Sequence, residues 1–137
     1  MKDELRSLID YRLQEADDAH EEAAILFESG KMRGALNRVY YSMFYATLAL
    51  LATKELSSSK HSGVISLFHK EFVKTGLISA DVAKFLDIAF DLRNKCDYRE
   101  FVEPERARVI ELLEEADIFI KKVKTYTNDF TRVFDEE

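Results

Sequence analysis

The chain has no tryptophan, one proline, four glycines and one cysteine in 137 residues. Each scarcity removes a class of fold or chemistry. A sandwich or barrel of short strands needs a turn every ~8–12 residues, and so few Gly and Pro residues cannot supply them. A lone Cys96 excludes an internal disulfide framework and fits a reducing compartment. The three histidines, His20, His61 and His69, form no H-E-x-x-H pair and no Cys/His cluster. A Gly-rich phosphate loop and the inward Glu-x-x-His motifs of a di-iron bundle are also missing. No metal and no cofactor is therefore expected, and no Ser-His-acid set is apparent.

Excess positive charge is lacking too. The net charge of −6 gives no global attraction to nucleic acid or anionic membranes, so a polynucleotide would have to meet a local basic patch. No element that reads a DNA sequence is expected. The longest apolar run, Val39 to Ala52, includes Ser42 and Thr47. It falls short of the ~20 residues of a membrane span and reads as a buried helix. The start, Met1-Lys2-Asp3-Glu4-Leu5, has no apolar h-region, so no signal peptide and a cytoplasmic protein are expected.

What the chain does have is helical periodicity. Leu5, Leu8, Ile9, Ala16, Ala19, Ala23, Leu26 and Phe27 recur at spacings of three and four, predicting a helix from about Lys2 to Ser29 that Gly30 stops. A second helix, about Lys31 to Glu55, is apolar on most sides and belongs in the middle of a bundle. Ser57-Ser58-Ser59 offers an N-cap for a shorter third helix, about Lys60 to Thr75, ended by Gly76. Ser79 caps a fourth helix that stops near Tyr98. Pro104 fits the first turn of a fifth, which carries Val109, Leu113, Ala116, Ile120, Val123 and Phe130. The expected fold is all-α: one domain over residues 1–137, an up-down antiparallel bundle of four long helices plus one shorter helix. Residues 134–137 read as a frayed acidic tail.

Arg93-Asn94-Lys95-Cys96-Asp97-Tyr98 interrupts this pattern. The inward face of the fourth helix, Val82, Leu86 and Ala89, continues into Arg93 and Cys96. A guanidinium there is costly unless it is paired or reaches water. Two readings are open. In the structural one, Arg93 pairs with Asp97 at i,i+4, the helix dipole favours the cation in the last turn, and Tyr98 packs on helix five. In the functional one, Arg93, Asn94 and Tyr98 form a phosphate-facing cluster at a surface or dimer cleft.

Four segments together resemble the HEPN family of small helical bundles. Arg33-Gly34-Ala35-Leu36-Asn37-Arg38-Val39-Tyr40-Tyr41-Ser42-Met43-Phe44-Tyr45-Ala46 is similar to the family's aromatic helix. Lys60-His61-Ser62-Gly63-Val64 resembles a run found in one branch. Arg93-Asn94 followed by Asp97-Tyr98 resembles the family's motif, and Val102-Glu103-Pro104-Glu105 with Ala107 and Ala116 its last helix. The resemblance implies a homodimer. In active members it also implies metal-independent RNA cleavage at a motif of Arg, four to six residues, then His. Many members are toxins paired with a minimal nucleotidyltransferase antitoxin, and some partners modify a tyrosine near the motif.

Arg93 and Asn94 match the motif, but positions 98 to 100 are Tyr, Arg and Glu, and no histidine follows Arg93. A tyrosine, with a pKa of about 10, is a poor base near neutral pH. The expectation is a module that binds RNA, a nucleotide or a partner protein through Arg93, Asn94, Asp97, Tyr98, Arg38, Tyr41 and Lys95, without the usual nuclease activity. The alternatives are a ribonuclease toxin with a displaced base, such as His61 or Tyr98, and a plain dimerisation domain. Arg93, Asn94 and Tyr98 are the catalytic candidates.

His61 could serve as a base only if helix three abuts the end of helix four. At the start of its helix it should be pushed toward the neutral form, whereas His20 and His69 should be exposed. Tyr40 and Phe44 read as core, while Tyr41 and Tyr45 face away from the main stripe. Lys31, Arg33, Arg38, Lys95 and Arg99 are the candidates for a basic patch.

Overall fold

The computed structural model describes residues 2–98 and 103–136, and of residues 97 and 98 the backbone alone. The described chain is built of helices α1 (Lys2–Glu28), α2 (Met32–Thr53), α3 (His61–Phe68), α4 (Ala80–Tyr98) and α5 (Arg106–Glu136). No strand is present among the described residues. Short connections make the long neighbours antiparallel.

α2 lies against all four other helices, as its all-round apolar surface requires. Leu36, Val39, Tyr40, Met43, Leu50 and Leu51 on it are at most 1% exposed. Ala16, Ala19 and Ala23 of α1 and Ala35, Ala46 and Ala49 of α2 are buried as well, and such small side chains let the two helices approach closely. The main core extends through Val64, Phe68 and Phe72 to Leu86 and Ala89 of α4 and Leu112, Ala116 and Phe119 of α5. A smaller core of Ile9, Ala49 and Ala52 lies under Leu5, Leu13 and Phe130. The serine and threonine hydroxyls buried on α2 are satisfied within the helix: Ser42 donates to Val39 O at 2.6 Å and Thr47 to Met43 O at 2.8 Å.

Helix ends follow local chemistry. Gly30 has φ +77°, with Lys31 N–H donating to Leu26 O at 2.8 Å and Gly30 N–H to Phe27 O at 3.0 Å. This is a Schellman end. α2 ends in the same way, but the left-handed residue is Glu55, with φ 55°. Ser79 Oγ accepts from Val82 N–H at 3.3 Å and caps α4, as its position before the apolar run predicts.

The structure differs from the sequence reading at several places in the fold. Pro104 lies before α5 rather than in its first turn. Glu105 O accepts the first helical bonds, from Arg108 and Val109 N–H at 3.0 Å, and Pro104 is buried just ahead of it, where an apolar residue commonly packs on the first turn. The serine run does not cap α3. Lys60 occupies the cap position, and Ser58 Oγ accepts from Lys60 N–H at 3.4 Å, inside the loop. The third helix does not stay α-helical to Thr75. His69–Val73 forms a wider π turn, closed by Lys74 N–H donating to His69 O at 2.8 Å. Leu8 is 43% exposed, because the small core takes Leu5, Ile9 and Leu13 from α1 instead. The acidic end is not frayed through Glu136. α5 continues to that residue, Asp135 pairs with Arg6, and Lys2 Nζ donates to Phe134 O at 3.3 Å.

Candidate functional site

Arg93 sits in the last turn and a half of α4, where the helix dipole favours a cation. Its guanidinium points inward, as the sequence pattern predicts, and Nη1 is buried. Aromatic faces meet it there. Cζ lies 4.9 Å from the Tyr40 ring centroid and 5.3 Å from that of Tyr41. Contacts of this kind are worth about 0.5–2 kcal/mol each and help offset desolvation of the charge. The proposed pairing of Arg93 with Asp97, and the packing of Tyr98 on helix five, involve side chains outside the described residues, and Arg99 also lies outside them.

A second guanidinium reaches the same ring from α2. Arg38 Cζ is 5.0 Å from the Tyr41 centroid, and its Nη1 pairs with Glu22 of α1 at 3.2 Å. Both cations therefore lie over one half-buried tyrosine, held on separate helices. The rim of the Tyr41 ring meets Tyr40 at 5.1 Å and Phe44 at 6.0 Å, both near edge-to-face. The Tyr41 ring thus contacts two guanidiniums and two aromatic rings at once.

α3 completes the cluster. His61, its first residue, stacks on Phe44 with centroids 4.3 Å apart, and its Nδ1 lies 3.1 Å from the Tyr40 hydroxyl. Tyr40 links α3 to this end of α4, since its ring lies 4.9 Å from Arg93 Cζ and its hydroxyl 3.1 Å from His61 Nδ1. Burial first, and the Arg93 charge second, push His61 toward the neutral form. The direction is the one its position predicted, but burial and Arg93 are the causes. Burial also pushes the Tyr40 hydroxyl well above its ordinary value, against the opposing influence of Arg93. Gly63 belongs to this geometry, because a Cβ there would meet Ser58 Oγ at 2.1 Å. A larger residue there would force the Ser58 side chain to move.

Of the residues proposed from sequence, Arg93, Arg38 and Tyr41 come together. Asn94 is half-buried beside Arg93 and its side chain makes no hydrogen bond among the described residues, while Lys95 is exposed. Lys31 and Arg33 are exposed at the start of α2. Tyr40 was read as core, and it is fully buried; its second role, meeting both Arg93 and His61, was missed. The available signal was a buried phenol, whose hydroxyl normally needs a partner. His20 and His69 are not the exposed residues expected. Each is half-buried and bonded, His20 Nε2 to Leu113 O and His69 Nε2 to Asp87, both at 2.9 Å.

A helical bundle with an arginine of the fourth helix set among tyrosines of a central second helix defines a narrow structural class. The HEPN domain model matches residues 9–126, and the chain belongs to the HEPN family. A UPF0332 protein of Thermotoga maritima is 36% identical over 94% of this chain and 98% of its own length. Two proteins of Methanocaldococcus jannaschii named as candidate toxins are 37% and 33% identical, over 91% and 90% of this chain and 82% and 89% of their own lengths. No described helix is long and apolar enough to cross a membrane.

Proposed function

We propose that this HEPN domain binds a phosphate-bearing ligand, with single-stranded RNA favoured, at the Arg38–Tyr41–Arg93 face. We further propose that it acts as a homodimer within a toxin–antitoxin pair whose other member is a nucleotidyltransferase-type protein. The observation that carries the binding reading is the convergence of two guanidiniums, from α2 and α4, over the Tyr41 ring. Planar guanidiniums match phosphate oxygens in a forked geometry. They form a local cationic site on a chain whose net charge is −6. The toxin names of the M. jannaschii relatives support the paired-system part of the reading.

Binding of a short single-stranded RNA by the purified protein tests it. Arg93→Ala and Arg38→Ala should each weaken binding by about tenfold or more and flatten its salt dependence. Equal affinity in wild type and both variants overturns the reading. If Arg93→Ala lowers stability or dimerisation without changing RNA affinity, the plain dimerisation domain is the better description.

A ribonuclease toxin is the second reading, and the approach of His61 to Arg93 and Tyr40 is the observation in its favour. Cleavage of RNA by wild type, abolished by Arg93→Ala, would establish it.

A further inference from the structure

We infer that His61 is a ligand-facing hydrogen-bond donor with its proton on Nε2, which joins Arg93 in holding a non-bridging oxygen of an RNA phosphodiester. This rests on the phosphate-binding reading of the site and adds the group that makes it a binder rather than a nuclease.

The argument begins at Tyr40. Its ring is 0% exposed, so its hydroxyl proton has to find an acceptor inside the protein. Arg93, whose Cζ lies 4.9 Å from the ring centroid, carries only donors and cannot take that proton. His61 Nδ1, at 3.1 Å, is then the acceptor for the Tyr40 proton. The opposite tautomer would set a donor against the phenol oxygen and leave the hydroxyl proton buried without a partner, which is costly. Burial and the Arg93 charge favour the neutral ring, and with Nδ1 accepting from Tyr40 the proton of that form is on Nε2.

That N–H makes no hydrogen bond among the described residues, and the His61 ring is half-exposed. The ring is also fixed in direction. Phe44 stacks on it at 4.3 Å and Tyr41 meets it edge-on at 5.6 Å. A rigid neutral donor beside an arginine suits one anionic oxygen. It does not suit removal of a 2′-hydroxyl proton, since Nε2 already carries a proton and Nδ1 is occupied by Tyr40.

Two measurements on the full chain test this. Long-range proton–nitrogen NMR of the histidine rings near neutral pH should show His61 as the Nε2–H tautomer, and Tyr40→Phe should shift it toward a mixture. Anisotropy with a labelled short single-stranded RNA should show His61→Ala binding about tenfold more weakly. His61→Gln, which keeps an amide N–H and an oxygen, should stay within about threefold of wild type. It also serves where His61→Ala disturbs α3. An Nδ1–H tautomer overturns the inference. So does RNA cleavage that His61→Ala abolishes, or His61→Ala affinity equal to wild type while Arg93→Ala binds weakly. In that last case the phosphate-binding reading survives. If none of the arginine or histidine variants changes affinity, that reading fails, and the inference fails with it.

Discussion

The Tyr40 hydroxyl lies 3.1 Å from His61 Nδ1, and this bond ties the core face of α2 to the first turn of α3. Through it, a fully buried residue of the central helix sets the direction of a half-exposed side chain at the candidate site. Tyr40→Phe removes the bond and leaves the ring packing in place. The expected loss of stability is about 1 kcal/mol, since Nδ1 belongs to a half-exposed residue and water can partly replace the phenol. Urea unfolding followed by circular dichroism measures it. No change in midpoint would show that the bond contributes nothing.

Stability should fall on mild acidification, and His61 gives the sign. Its folded pKa is below its unfolded value of 6.5, so protons bind the unfolded chain more readily. The stabilisation is fully present above 6.5 and is lost as pH falls below it. Among the described residues, the groups facing the ring are Arg93 from α4 and Tyr40, Tyr41 and Phe44 from α2, and none of these is a carboxylate that would reverse the sign. Glu115 acts in the opposite sense, because burial raises its carboxyl pKa above 4.5 and its neutralisation at low pH favours the fold. The His61 contribution is therefore isolated by comparing wild type with His61→Gln. The wild type should lose more stability between neutral and mildly acidic pH.

Glu55 ends α2 in the left-handed conformation, with φ 55°. A side chain there costs roughly 1–2 kcal/mol that glycine avoids. Glu55→Gly should stabilise the protein by about 1 kcal/mol once the greater freedom of glycine in the unfolded chain is subtracted. A lower unfolding midpoint in the variant would contradict this.

Gly63→Ala should destabilise by roughly 1–3 kcal/mol, although alanine is the better helix former, because Ser58 must give way. Ser58→Gly in the same chain removes the atoms at 2.1 and 3.0 Å and should restore most of the loss. Additive effects of the two substitutions would show that they do not meet.

The bundle was legible because apolar spacing reports helix faces directly. The all-round apolar surface of the Val39 to Ala52 run placed α2 at the centre, and Gly30 marked the end of α1. The cluster at Arg93 was half legible. Its inward direction followed from Ala89, Leu86 and Val82, about one, two and three turns before it. That it would be met by tyrosines of α2, with His61 of α3 alongside, depends on how three helices cross, and periodicity within one helix carries no such information. The π turn at His69–Val73 has no signature in spacing either, since its extra residue per turn is absorbed locally. Pro104 was misplaced by two residues because a proline suits both the first turn and the position before the cap.

The central position of α2 has a practical consequence. The helix that carries Arg38 and Tyr41 touches every other helix, so the site cannot melt by itself and shares the unfolding of the bundle. Any small anion or nucleotide that settles there raises the melting temperature of the entire chain in proportion to the logarithm of its concentration. A thermal-shift screen of phosphates, mononucleotides and short RNAs can therefore find the ligand before its chemistry is known.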